Sequence, residues 1–185
     1  MNALVSKTAT TPDYLLISIA GPRITLCPID NKYGKDILAE FTADITRFML
    51  PAPVDNIEQA DDFIQRSRRN MARHKELVFV IATNDGNEFL GVCGLHGHQN
   101  PKIPELGIWI KKSAHGQKLG REAIHTLVNW AKDNLSIDGF YYPCDRDNIA
   151  SRKIAQSLGG SIISETTRQN MSGATLNEVV YKIAL

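Results

Sequence analysis

Several features that would direct a first reading are missing from this sequence. Among its 185 residues, 21 Lys and Arg stand against 20 Asp and Glu, a formal net charge of +1. That balance excludes a broadly basic surface for nucleic acid. No stretch approaches the roughly 18 uninterrupted apolar residues of a membrane-spanning helix. No basic segment followed by an apolar run opens the chain, so no signal peptide is expected. The three cysteines, Cys27, Cys93 and Cys144, are odd in number and widely spaced. They match neither a disulfide framework nor a cysteine-based zinc site. Each reads as a small core hydrophobe, and a reducing cytoplasm is the expected setting. Internal repeats and low-complexity tracts are absent too.

What is present fits one soluble domain. The apolar fraction is 43%, ordinary for a globular chain long enough to bury a core unaided. Residues 1–13 read as a flexible polar tail and 14–185 as the domain. Strands are expected at Tyr14–Ile19 and Arg23–Ile29, separated by the turn signal Gly21-Pro22. Helical segments follow at Tyr33–Phe41, Ile45–Leu50 and Asn56–Arg73, with Pro51-Ala-Pro53 as the stop between the last two. Leu77–Ala82 and Phe89–Leu95 flank the hairpin turn Asn84-Asp-Gly-Asn87. Glu105–Ile110 is a strand. The strongest helix follows Gly120, where Ala123, Ile124, Leu127, Val128 and Ala131 form one apolar face. A short strand at Asp138–Pro143, a helix at Asn148–Leu158 and an antiparallel pair at Ser161–Arg168 and Glu178–Ala184 complete the chain. The fold class is α+β, a mixed, mostly antiparallel twisted sheet with flanking helices. The strands on either side of the strongest helix should run parallel.

The segment from Ile108 to Ala123 is the most informative. A strand enters a turn bearing Gly116 and Gly120, and the turn opens a helix. The first N–H groups of a helix lack internal partners, and its dipole favours negative charge there. Lys111, Lys112, Lys118 and Arg121 add positive charge. A phosphate or pyrophosphate is the expected ligand; the plainer alternative is a glycine loop with a solvated basic rim. The segment is not a P-loop, since Gly-Lys-Ser/Thr is absent, nor a dinucleotide fingerprint, since the glycine spacing differs.

The six residues His115-Gly-Gln-Lys-Leu-Gly120 resemble the acetyl-CoA pyrophosphate turn of the GNAT acetyltransferases. The last glycine fits the family pattern of Gln or Arg, two variable residues, Gly, one variable residue, then Gly or Ala. His115 replaces the Gln/Arg, and Lys118 replaces the central glycine. Asn148-Ile-Ala-Ser151, with Leu158-Gly159-Gly160 downstream, resembles the family's Asn-x-x-Ser…Leu-Gly-Phe element, with Gly160 in place of Phe. Arg23–Ile29, Ile45–Pro53 and Glu105–Ile110 resemble elements of the RimJ/RimL-like branch. The likeness extends over about residues 23–184.

The resemblance implies a GNAT-like fold and an N-acetyltransferase using acetyl-CoA as co-substrate, without a metal. It implies direct attack by a primary amine in a ternary complex. The acceptor would be a small molecule or a protein N-terminus, such as that of a ribosomal protein. Monomer and homodimer both remain open, with no direct nucleic-acid or membrane partner. A catalytically weak acyl-CoA-binding sensor is the alternative, prompted by Lys118 and Gly160. The cofactor set implied is Ile108, Trp109, Ile110, His115, Gly116, Gln117, Lys118, Leu119, Gly120, Arg121, Asn148 and Ser151. Glu105 is the candidate base, or else an exposed strand-edge charge. Ser151 is the candidate acid, with the phenol of Tyr142 or Tyr141 as a substitute. Phe48 and Leu50 are candidate substrate contacts. His96 and His98, two apart on a strand and so on one face, are further candidates for substrate contact or proton transfer; sequence supplies no third ligand that would make them a metal site. The basic run Arg66, Arg68, Arg69, Arg73 and Lys75 reads as a solvated helix face or a docking surface for an acidic or RNA-rich partner such as the ribosome.

Overall fold

A computed structural model describes residues 3–185. Eight strands form one sheet in the order β1-β2-β3-β4-β5-β6-β8-β7. They are β1 (Ile19–Ala20), β2 (Ile24–Pro28), β3 (Glu76–Thr83), β4 (Phe89–His96), β5 (Glu105–Ile110), β6 (Gly139–Asp145), β7 (Ser161–Gln169) and β8 (Thr175–Ala184). Every neighbouring pair is antiparallel except β5 and β6, which are parallel. Helices α1 (Gly34–Glu40), α2 (Ala43–Thr46), α3 (Ile57–Ala72), α4 (Leu119–Asn134) and α5 (Ile149–Ser157) flank the sheet. The α+β class and the parallel β5–β6 step agree with the sequence reading.

Strand β3, inside the sheet between β2 and β4, explains itself. Residues 77–82 of β3 are apolar without alternation and all are buried, as a strand covered on both faces must be. Helix α3 turns Ala60, Ile64, Ser67 and Met71 inward, and Asn56 caps it by accepting from the Gln59 N–H at 2.9 Å. Helix α4 buries Leu119, Ala123, Ile124, Leu127, Val128 and Ala131, which includes the whole face expected from its periodicity. Strand β7 is exposed along its length, consistent with its place at the sheet edge.

Three local expectations change. Tyr14–Leu16 is a 3-10 turn rather than strand, because the Asp13 carboxylate accepts from the Leu15 N–H at 2.9 Å and diverts the backbone. Only Ile19–Ala20 then pairs as strand. The helix expected over Ile45–Leu50 stops at Thr46; Pro51 disfavours helical backbone at Leu50, and residues 48–51 run irregularly. The third change concerns the N-terminal tail, whose first two residues lie outside those described. Leu4 is 2% exposed, its N–H donates to the His74 carbonyl at 2.6 Å, the Ser136 N–H donates to the Val5 carbonyl, and the Lys7 N–H to that of Asn134. Residues 3–7 are thus part of the packed domain, held by one apolar anchor in a polar stretch.

Replacing Leu4 with alanine is therefore expected to destabilise the fold by about 2–3 kcal/mol, the usual cost of truncating a buried leucine. Urea unfolding measures it; an unchanged midpoint would mean the segment is a tail after all.

Candidate active site

Strands β5 and β6 share a single rung, Glu105 opposite Tyr141. The Tyr141 N–H donates to the Pro104 carbonyl at 3.1 Å. Beyond that rung the strands separate, while β5 stays paired to β4 as far as Ile110. Peptide groups alternate in direction along a strand, so the groups of Ile108, four residues past Pro104, face the gap. They have no strand partner among the described residues. A cleft opens here, lined by Phe48, Leu50, Glu105, Ile108, Tyr142 and Ser151 among others. It lies at the carboxyl ends of two parallel strands, where open sheets bind ligands.

At the far end of β5 the chain forms the glycine-bearing turn. Gly116 has φ 77° and Lys118 has φ 63°, both left-handed. Lys118 thus keeps the conformation that the family's glycine would supply, at a cost of about 1–2 kcal/mol for a residue with a side chain. Gly120 does a different job. A Cβ there would lie 3.3 Å from Ile110 Cγ1 and 3.5 Å from Ile108 Cδ1, so its absence lets α4 pack closely on β5. The His115 Nε2–H donates to the Ile110 carbonyl at 2.7 Å, which closes the turn on the strand it leaves. Arg23 clamps it from outside. Its Nε pairs with Glu122 at 2.7 Å, and its guanidinium also donates to the Gln117 carbonyl at 3.2 Å. The leading N–H groups of Leu119, Gly120 and Arg121, which no helical carbonyl can reach, are the anion-binding feature.

The second cluster meets the cleft from the α5 side. The Asn148 side chain accepts from the Ser151 N–H at 3.1 Å, capping α5 and fixing Ser151 in its first turn. Ser151 Oγ lies 2.9 Å from the Tyr142 hydroxyl. Tyr142 is 1% exposed, and burial pushes its phenol well above the usual range, so it remains a hydrogen-bond donor at neutral pH. Burial pushes the Cys144 thiol up to about 11 and that of Cys93 higher still, which removes both as nucleophiles. Burial also raises Glu105 above the usual carboxylate range; nearby Glu178 adds to this, while His96 and Arg168 oppose it.

Most of the expected site residues converge. Glu105, Ile108, Tyr142, Asn148, Ser151, Phe48 and Leu50 line one cleft, and residues 115–121 form the turn at the end of β5. The Trp109 side chain does not belong with them. Its ring packs 4.9 Å from Phe41 and 5.6 Å from Phe89, centroid to centroid, on the face opposite to the Ile108 and Ile110 side chains. The ring lies in the core, and the backbone groups of Trp109, unlike those of Ile108, face β4. His96 and His98 lie in the adjoining pocket, which shares Glu105 and adds Tyr141. Sequence reasoning missed Glu178, Arg168 and Asp145, all on the cleft wall; nothing local distinguishes them until β8 and β7 are paired to β6. Of the basic run, Arg66, Arg68 and Arg69 lie on α3 and Arg73 and Lys75 follow its end, and Arg68 is engaged by the Ile29 carbonyl and Asp30.

Residues 23–161 match the acetyltransferase (GNAT) domain family. The chain belongs to that family, and the class of protein is thereby a GNAT-type acetyltransferase. Solved structures of other acetyltransferases share its fold. RimL, a ribosomal L7/L12 alpha-N-protein acetyltransferase solved with coenzyme A, superposes with a TM-score of 0.78 at 16% identity, covering 91% of this chain and 98% of that one. The microcin C7 self-immunity acetyltransferase MccE, solved with acetyl-CoA and AMP, gives 0.76 at 22% identity over 89% and 93%. A Salmonella typhimurium acetyl transferase that modifies the N-terminal serine of L7/L12 gives 0.76 at 17% identity over 91% and 99%. These likenesses concern the fold. In sequence, the uncharacterized N-acetyltransferase YjdG of Bacillus subtilis (strain 168) is 28% identical over 82 residues, 44% of this chain and 49% of that protein. The match thus spans about half the length of that relative. No helix among the described residues is long and apolar enough to cross a membrane.

Lys118→Gly is expected to stabilise the fold by about 0.5–1 kcal/mol, the left-handed penalty less the added freedom of the unfolded chain. Chemical denaturation measures this. Destabilisation instead would mean that the Lys118 side chain makes contacts worth more than the strain.

Proposed function

We propose that this protein transfers the acetyl group of acetyl-CoA to a primary amine by direct attack in a ternary complex. The observation that carries the reading is the one-sided opening between β5 and β6, with a phosphate-type turn at one end and Glu105 at the other. Six strand residues separate those ends by about 16 Å, a span suited to an elongated carrier with its phosphates at one end and its reactive group at the other. The neighbours solved with acetyl-CoA and coenzyme A support the same carrier. Residues 116–121 would hold the pyrophosphate through backbone N–H groups, and the free edge of β5 would run beside the arm.

The positions of these groups support one division of roles. The amine nitrogen attacks the thioester carbonyl carbon, the C–S bond breaks, and the amine's surplus proton passes to Glu105. The Ile108 N–H, turned into the gap, stabilises the oxyanion. Ser151, held by the Tyr142 phenol, donates a hydrogen bond to the departing thiolate, which leaves as the CoA thiol once the proton taken by Glu105 has passed to it through solvent. A raised carboxyl is a better base near neutrality than an ordinary one. Much of the remaining acceleration comes from aligning the two reactants.

The acceptor is a primary amine, supplied by a small molecule or by a protein N-terminus. RimL and the Salmonella protein, which act on L7/L12, favour the N-terminal alternative. The wall formed by Phe48, Met49, Leu50 and Pro51 would contact the residue that bears the amine.

Two measurements test this. Acetyl-CoA at 100 times its Kd is expected to stabilise the protein by about 2.7 kcal/mol, as is CoA, with little effect from ATP; no melting shift with acetyl-CoA would remove the reading. Glu105→Gln is expected to lower kcat by about 10²–10⁴-fold with acetyl-CoA binding unchanged. In the wild type, activity should rise with pH as Glu105 loses its proton, through a midpoint above that of an ordinary carboxyl. This acidic limb should vanish in Glu105→Gln; its persistence would assign the base elsewhere.

A further inference from the structure

Outside the acetyl-transfer cleft, the described residues contain one cluster built like a coordination site. Glu76 on β3 is the register partner of His96 on β4, so their side chains share a face. The Gly97 N–H donates to the Lys75 carbonyl at 2.9 Å, which carries the pairing one residue past β4 and keeps His98 on that same face. The result converges on a single atom. His96 Nδ1 and His98 Nε2 each lie 2.9 Å from Glu76 Oε2. The three ligand atoms all lie within 4.8 Å of one another.

We propose that Glu76, His96 and His98 bind one divalent transition-metal ion, Zn²⁺ by preference. Two imidazoles and a carboxylate form a donor set that suits zinc, with a fourth position left for water or another ligand. Zinc–ligand bonds of about 2.0–2.1 Å in a tetrahedral arrangement put neighbouring ligand atoms about 3.3 Å apart. The Glu76 oxygen therefore has only about 0.4 Å to retreat from each nitrogen. The two histidines also line a pocket of about 220 Å³ with Gln99, Asn100, Ile103, Glu105 and Tyr141, which leaves room for a fourth ligand.

Charge supports the assignment independently. Glu76 is only 6% exposed, and its partners among the described residues are His96, His98 and the Asn70 amide at 3.2 Å. None is a permanent cation. A carboxylate this buried normally finds a compensating charge, and a divalent ion supplies one.

The site is also shaped around the His96 ring. A Cβ at Gly94 would lie 2.9 Å from His96 Nε2, and one at Gly107 3.4 Å from it. Two glycines on adjacent strands therefore make the slot in which the ring lies. Its Nε2 edge rests over them, and its Nδ1 edge faces Glu76.

The test uses tag-free full-length protein and is independent of acetyl transfer. Zn²⁺ titration by calorimetry should give one site per chain. Co²⁺ in its place should give the visible bands of a tetrahedral nitrogen–oxygen site, without the charge-transfer absorption of a thiolate. His98→Ala and Glu76→Gln should each weaken binding at least about tenfold. His98 is partly exposed, so its variant should keep the wild-type circular dichroism and melting response to acetyl-CoA. It therefore decides the matter even if Glu76→Gln folds poorly. Failure of the wild type to bind Zn²⁺ at micromolar concentration, undiminished binding by His98→Ala, or a thiolate band would each overturn the proposal.

Discussion

Strands β5 and β6 run parallel, share a rung at Glu105 and Tyr141, and then part. The cleft depends on that parting. An antiparallel partner could have followed β5 to its end, as β4 does on the other side. A parallel partner reached through α4 arrives from the same end and can diverge. The divergence leaves the Ile108 peptide facing open space, and it lets Tyr142 and the first turn of α5 form the opposite wall. Glu105 lies at the closed end, where the strands still touch. Burial there raises its carboxyl.

The opening alone would bind nothing in particular. The turn at its far end gives it direction, and that turn is held by contacts distant in sequence. Arg23, on the approach to β2, pairs with Glu122 in the first turn of α4 and reaches the Gln117 carbonyl. His115 closes on Ile110. With those ties in place, a lysine adopts the left-handed backbone that the turn needs at position 118. Tertiary contacts override a local preference here, and the strain falls where the helix N-terminus must face its ligand.

Periodicity made most of the fold legible. The unbroken apolar run of β3, the i, i+4 face of α4 and the hairpin signal at residues 84–87 each specify their element without help from the rest. The misread stretches are those where one side chain redirects the backbone: Asp13 capping a 3-10 turn, and Pro51 cutting α2 short. Leu4 was invisible because a lone leucine among polar residues has no period. At the site, residues within one continuous motif were recognisable, including His115–Arg121 and Asn148–Ser151. Trp109 belongs to the same motif, but its ring goes to the core against Phe41 and Phe89. Glu76 was missed as a partner of His96 and His98 because cross-strand register, twenty residues away in sequence, brings them together. The same holds for Glu178 and Arg168.

Amide hydrogen exchange with and without acetyl-CoA tests the central claim most directly, since it reads the backbone groups on which the account rests. Acetyl-CoA should slow exchange at Ile108 and Ile110 on the free edge of β5 and at residues 118–121 at the head of α4. ATP at equal concentration should leave the β5 edge unprotected. Protection confined to other elements, or none at residues 108–121, would contradict a carrier bound between β5 and β6.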